Sequence, residues 1–390
     1  MGMQESKKVR PAMVVKLGGS FCAFMIGAGY ASGQEVLQYF TVFGFLGTLL
    51  GAIFGIFLYS WMSAELMSIG YETNDTAGTN SYCALLGKKG GMVMSVFVPV
   101  FMFLTYVIMV SGSGATFNQQ FGISPQVGAA IMAVVSGVIV LLGLNKVIDT
   151  IGFLGPMIAA IALIIGVGIL LTNPYDIAAS DSFIAAHQSE MLKAADNWFI
   201  STSLYVLWGA VMAVPFMSAV GSKANGMREI LSGAVFGSVL FFLALMVLSF
   251  AMGSQIEKVY DLQIPALAMA NSIHPVLGTV YSVVLILAIF TTSLPLLWTV
   301  AARIAPEGSK LFYVLVAAIA VLGFFGGRLP FGTLINYIYP CIGWVGLLIF
   351  CAVVVREAKR FLAWRRKDGY LSIEEKAALA HQTVDEPANN

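Results

Sequence analysis

Charge is scarce in this sequence. Lys, Arg, Asp and Glu make up 11 % of its 390 residues and the net charge is +1, so no basic face exists to track a phosphate backbone, and nucleic acid is excluded as a partner. Histidine is scarcer still. His187 and His274 fall outside the apolar stretches and His381 in the C-terminal tail, which leaves neither a histidine cluster nor a Ser-His pair at helical spacing for an intramembrane enzyme. There is no Walker-type Gly-Lys-Ser loop and no soluble nucleotide domain, which excludes ATP-driven pumping. The cysteines Cys22, Cys83, Cys341 and Cys351 stand singly, without the spacing of a zinc site or a disulfide framework, and read as packing residues. The expectation is therefore a protein that is not an enzyme and holds no cofactor.

What the sequence has in excess is apolar length. Hydrophobic residues form 58 % of the chain and the mean hydropathy is +0.86, values that belong to a polytopic integral membrane protein. A bilayer core takes about 20 apolar residues per helix. Stretches of that kind lie at 14–38, 43–70, 91–118, 125–144, 148–171, 197–221, 229–253, 275–304, 311–326 and 331–355. They lack strand alternation, so the expected fold is all-α with ten transmembrane helices. Residues 1–13 read as an N-terminal segment and 14–355 as the membrane domain; 356–390 turn charged, then rich in Asn, Glu and Pro, and read as a short amphipathic piece and a tail. With the N-terminus inside, every Lys and Arg except Lys193, Lys258 and Arg328 falls on the cytoplasmic side, so both termini are expected there. The basic start and the apolar run up to Ala31 mimic a secretory signal, but a second span follows directly, which argues against cleavage.

One string resists the simple reading. "MIGAGYASGQE", residues 25–35, places three glycines, small polar groups, Gln34 and Glu35 inside the first apolar helix. Five helices per half make a duplication of about 14–171 and 197–355 inverted. The counterpart of the first helix is then the sixth, where "SLYVLWGAVMAVPF", residues 203–216, carries Trp208-Gly209 and Pro215. Both helices are expected to be broken, because unpaired N–H and C=O groups at membrane depth are tolerable where they line a cavity and bind a ligand. The competing reading is that the glycines let helices approach closely. Glu35 lies six residues past Gly29, about 9 Å along a straight helix at about 1.5 Å per residue, which puts it above the break as a gate, a proton acceptor or a group bonded to its neighbours. Glu65, near the cytoplasmic end of the second helix, is expected to pair with an interfacial Lys or Arg.

Ile26-Gly27-Ala28-Gly29 and the aromatic-Gly pair of the sixth helix resemble the amino acid, polyamine and organocation transporter superfamily with its LeuT-type five-plus-five fold. More narrowly, "GAGYASGQE" with "FTTS" at 290–293 is similar to the bacterial YkvI family of membrane proteins, over about residues 12–358. The resemblance implies a secondary transporter in the bacterial cell (inner) membrane, carrying a small amino acid or related zwitterion by alternating access. It implies a substrate carboxylate held by the amides of Ala28 and Gly29 beside Gly27, Trp208 next to Gly209 covering the substrate, and the Tyr106 hydroxyl completing the carboxylate site. It further implies a sodium ion, as coupling ion, held by the carbonyls of Ala23, Ile26 and Ala288 and the hydroxyls of Thr291 and Thr292, with Ser293 as an alternative. The lysine that some proton-coupled relatives carry in the fifth helix is absent. A proton-coupled carrier and a non-transporting amino-acid sensor, similar to a spore germinant receptor subunit, remain the alternatives.

Overall fold

The computed structural model describes residues 9–75, 80–142 and 160–366. Helix α1 (Pro11–Met25) begins on a proline, α2 (Ala28–Ser32) and α3 (Gln34–Tyr39) follow as short pieces, and α4 (Gly44–Thr73) leads away from them. Then come α5 (Ser81–Phe121), α6 (Pro125–Leu142), α7 (Ala160–Thr172), α8 (Ile177–Ala186) and α9 (Trp198–Gly221). The remainder is α10 (Met227–Gly253), α11 (Ile256–Val259), α12 (Pro265–Ile273), α13 (Pro275–Ile304), α14 (Lys310–Gly326) and α15 (Phe331–Arg366). Every regular element among the described residues is helical.

Seven of these helices are each long and apolar enough to cross a membrane, with an eighth if α7 and α8, bent by 109°, count as one span; α1 and α14 are apolar but shorter. Each expected stretch carries a helix, but length and composition alone do not reach ten crossings. Part of the fifth stretch, 148–159, with 143–144 of the fourth, lies outside the described residues, as do 1–8 and 367–390. Two boundaries move. Helix α5 starts ten residues before its expected start, as a short helix joined to the span through Gly87, whose φ of 71° only glycine adopts readily. Helix α15 runs to Arg366 instead of stopping at 355, because Arg356 and Arg360 are drawn onto the acids of α4: Arg360 bonds both oxygens of Glu65, at 3.1 and 2.9 Å, and Arg356 lies 2.8 Å from Glu72. Glu65 thus has the arginine partner its position calls for.

Lipid tails are as apolar as leucine, so helices in a membrane gain by close backbone approach rather than by leaving water. Helix α9 shows how. A Cβ on Gly70 of α4 would strike the Ser218 carbonyl of α9, and one on Gly221 of α9 would strike the Met67 backbone of α4. On another face of α9, Gly343 and Gly346 of α15 sit against the carbonyls of Leu204 and Leu207. Helix α9 is thereby clamped between α4 and α15, which places its middle beside the end of α1.

Gly221→Leu is expected to lower stability by about 1–3 kcal/mol or more through overpacking, read as a lower melting temperature in detergent; Gly19→Ala, where no described atom lies within 4 Å of a Cβ, should leave it unchanged.

Candidate functional site

The first span is broken twice. Helix α1 ends at Met25; Gly27 is extended (φ −98°, ψ −173°) and its N–H turns back to the Met25 carbonyl at 3.0 Å. This leaves the carbonyls of Ala23 and Ile26 without a helical donor. Helix α2 then begins, and its first-turn N–H groups on Ala28, Gly29 and Tyr30 have no acceptor among the described residues. The second break is at Gly33, with φ 88°. A side chain there would also strike Met252 and the Ala266 amide, so both conformation and space select glycine. The groups this break frees are met by side chains: Ser32 Oγ donates to the Gly29 carbonyl at 2.6 Å, the Gln34 amide donates to Ser32 Oγ at 3.2 Å, and the Tyr281 hydroxyl of α13 donates to the Ala31 carbonyl.

The second break decides where Glu35 goes. A straight helix would carry it about 9 Å past Gly29, but the turn at Gly33 folds α3 back. The Glu35 carboxylate packs directly on Gly29, where a Cβ would collide with Oε1. It is 2 % exposed, accepts a hydrogen bond from the Tyr205 hydroxyl at 3.1 Å, and is also reached by the Tyr339 hydroxyl. The Tyr205 ring lies 5.1 Å from that of Tyr39 and 5.8 Å from Trp208, and Trp208 stacks on Tyr339 at 4.1 Å. Tyr59 closes another side, its hydroxyl donating to Met25 Sδ at 3.2 Å. Tyr39 Oη and Trp208 Nε1 in this group are buried with no hydrogen-bond partner among the described residues.

Helix α9 corrects a second expectation. It is continuous from Trp198 to Gly221 and does not break at Trp208-Gly209. Gly209 is a contact glycine: a Cβ there would strike the Tyr59 hydroxyl and Met25, so its absence lets Tyr59 and the end of α1 reach α9. The disturbance in α9 comes from Pro215, which frees the Val211 carbonyl, and the Tyr82 hydroxyl takes that carbonyl at 2.7 Å.

Of the residues singled out in the sequence, Gly27, Ala28, Gly29, Glu35, Trp208 and Gly209 come together here. Tyr106 does not join them: its hydroxyl bonds Ser136 of α6 at 2.9 Å and its ring packs on Gly323 of α14. The hydroxyls of Thr291 and Thr292 both donate to the Ala288 carbonyl, at 3.0 and 2.9 Å, and Ser293 donates to Ile289 at 2.7 Å, the local bonding that such residues adopt within a helix. Ala23 is exposed and Ile26 buried, and α1 packs on α10 and α9 while α13 packs on α5 and α12. The tyrosines around Glu35 went unread in the sequence. Tyr205, one turn before Trp208, carried a signal: a tyrosine deep in an apolar span needs a partner for its hydroxyl.

Each end of the bundle is closed by polar contacts of a different kind. Beyond Glu35, Gln38 donates to Gln34 Oε1 at 2.7 Å and to the Gly332 carbonyl at 2.8 Å, Asn336 donates to Gln38 at 3.1 Å, and Gln34 donates to the Leu262 carbonyl. This neutral amide lattice joins α3 to α15 and to the segment before α12. At the other, basic end, Arg10 holds Glu229 through its backbone N–H and guanidinium at 2.8–2.9 Å, and Arg356 and Arg360 hold Glu65 and Glu72.

No family model matches the chain. The uncharacterized membrane protein YkvI of Bacillus subtilis is 25 % identical over 350 residues, which cover 86 % of this chain and 94 % of that one. The uncharacterized protein YyaD of the same organism is 25 % identical over 342 residues, 85 % of this chain and 93 % of that one. Among solved structures, the inward-facing conformation of Mhp1 superposes with a TM-score of 0.56 at 13 % identity, covering 93 % of this chain and 82 % of Mhp1. Mhp1 is a nucleobase-cation-symport-1 family transporter. The fold is therefore the LeuT-type helical fold expected from the sequence, in a multi-pass membrane protein.

Tyr281→Phe leaves the Ala31 carbonyl buried and unpaired, which costs about 1–3 kcal/mol. A lower melting temperature with unchanged membrane insertion is the expected outcome; unchanged stability would mean that the Gly33 turn is satisfied otherwise.

Proposed function

We propose that this chain is a secondary active transporter, not an enzyme, that carries a small amino acid or related zwitterion by alternating access around the Gly27 break. One observation carries this reading: a doubly broken helix inside the bundle brings free backbone N–H groups of Ala28 and Gly29 and a buried carboxylate, Glu35, to one place beside Trp208, in a chain with the fold of a known transporter. A zwitterion offers both complements, a carboxylate for the amides and an ammonium for Glu35. Trp208, stacked on Tyr339, bounds the side-chain pocket. The similarity to YkvI over most of both chains supports membership of that family, and the distribution of Lys and Arg supports a bacterial inner-membrane location with both termini cytoplasmic.

Sodium is the proposed coupling ion. The freed carbonyls of Ala23 and Ile26 favour it, as does the pair Thr291 and Thr292: both hydroxyls donate to the Ala288 carbonyl, which leaves their oxygen lone pairs available to a cation. Coupling then requires that the ion prefer one conformation, and its contribution is bounded by that preference.

Uptake of a labelled amino-acid panel into proteoliposomes, with sodium and proton gradients imposed separately, tests the function. Accumulation supports transport; saturable binding without accumulation supports a sensor. Replacing Thr291 and Thr292 together by valine should raise the sodium concentration for half-maximal uptake at least about tenfold, or about 1.4 kcal/mol; sodium-independent uptake would refute the ion assignment. Trp208→Ala should change which amino acid is preferred more than it changes ion dependence.

A further inference from the structure

Three acids are buried among the described residues: Glu35, Glu65 and Glu229. Glu65 is paired with Arg360 and Glu229 with Arg10. Glu35 has no ion pair among the described residues and is met only by neutral groups. The titratable side chains that face it are Tyr39 from its own helix, Tyr30 from α2, Tyr59 from α4, Tyr205 from α9 and Tyr339 from α15; no Lys, Arg or His is among them. A carboxylate shut away from water with hydroxyl donors alone keeps an uncompensated charge, which a low-dielectric interior does not tolerate. Closing the site around Glu35 therefore requires a neutralising cation, and the surroundings fit an organic one. Tyr205 and Tyr339 reach the acid with their hydroxyls, and the rings of Tyr39, Tyr205, Trp208 and Tyr339 pack on one another beside it, an aromatic group that suits the apolar body of an organic cation and adds a weaker attraction for its ammonium where a ring face is presented.

We infer that Glu35 and these rings form a cation-exchange site, at which the primary ammonium group of the substrate and a proton compete for one carboxylate. This rests on the reading of the helix break as the substrate site and adds how the substrate is recognised. When the ammonium arrives, the O–H bond of the Glu35 carboxyl breaks, its electron pair stays on the carboxylate as counter-ion to the ammonium, and the proton passes to solvent. One proton is released for each amine bound. The amino group, rather than the carboxylate, is then the indispensable part of the substrate, and a carrier built on this site moves substrate and proton in opposite directions.

Isothermal titration calorimetry of the purified full chain in detergent, repeated in buffers of different ionisation enthalpy, counts the protons. The probes are three matched sets: leucine, isopentylamine and 4-methylvalerate; alanine, ethylamine and propionate; phenylalanine, phenethylamine and 3-phenylpropionate. The expected result is that amino acids or amines of at least one set bind with release of about one proton, that affinity falls about tenfold for each pH unit of acidification, in line with a one-proton competition, and that the acids lacking nitrogen do not bind. Glu35→Gln, close in shape to the protonated acid, should abolish binding and proton release together, while Tyr205→Phe should weaken binding and keep the proton count. Binding without proton release in the unaltered protein, binding of a nitrogen-free acid, retention in Glu35→Gln, or no binding of any amino acid or amine of the three sets would overturn the inference. Proton-linked amine binding without uptake into proteoliposomes would leave it standing and remove the transport reading; uptake without proton linkage would do the reverse.

Discussion

Inside a bilayer no water is at hand to pair a stray carbonyl or offset a charge, so each polar group must find its partner within the protein. The rest of this structure follows from how that demand is met at Gly27 and Gly33. The α1–α3 segment gives up helical bonds at two places, and the protein answers with Ser32 Oγ on the Gly29 carbonyl and the Tyr281 hydroxyl on the Ala31 carbonyl. The same device serves α9, where Tyr82 takes the carbonyl freed by Pro215. What these side chains leave unpaired among the described residues, the amides at the start of α2 and the carbonyls of Ala23 and Ile26, is what the proposed substrate and ion would bind. The Gly33 turn has a second effect: by folding α3 back it sets a carboxylate beside the first break, so that donors and an acid share one site.

The two ends of the bundle close by different physics. Gln34, Gln38 and Asn336 tie α3 to α15 through neutral amides, contacts that salt and pH leave largely alone. The basic end is tied by Arg10 on Glu229 and by Arg356 and Arg360 on Glu65 and Glu72. Arg10, with a side chain 42 % exposed, makes the pair that salt weakens most, whereas Arg356 and Arg360 are largely buried with their acids and are screened much less. Gln34 and Glu35 are neighbours in the chain, so the amide lattice and the buried acid sit on one short helix, α3.

Much of this was legible in the sequence because it rests on local chemistry. Apolar length marked the helices, and Pro275, Gly253 and Gly326 bounded several of them closely. The break at Gly27 was visible as glycine, with no side chain, amid small residues. Glu65 was readable as a paired acid because its depth put it near an interface. What failed was three-dimensional. A straight-helix rise misplaced Glu35, because the turn at Gly33 depends on φ 88° and on crowding from Met252, neither of which spacing reveals. Gly209 looked like a hinge, yet it is a contact, and the difference lies in Tyr59, 150 residues earlier in the chain. Tyr106 looked available until Ser136 of α6 supplied its partner. A backbone turn, a close contact and a hydrogen bond between helices decided these three in turn, and a single sequence displays none of them.

Under the proposed alternating access, the Gly27 break lies on a pathway open in turn to the two sides of the membrane, not in a permanently sealed core. Gly27 is half-buried with φ −98°, and no described atom lies within 4 Å of a Cβ there, so the site accepts a small side chain. With Cys22, Cys83, Cys341 and Cys351 replaced by alanine and Gly27→Cys introduced, the most direct measurement is labelling in sealed vesicles of known orientation, using a membrane-impermeant thiol reagent from each side. The expected result is that the cysteine reacts from both sides and that a transported substrate slows the reaction. A cysteine that reacts from neither side, or from one side at a rate no substrate alters, would contradict it.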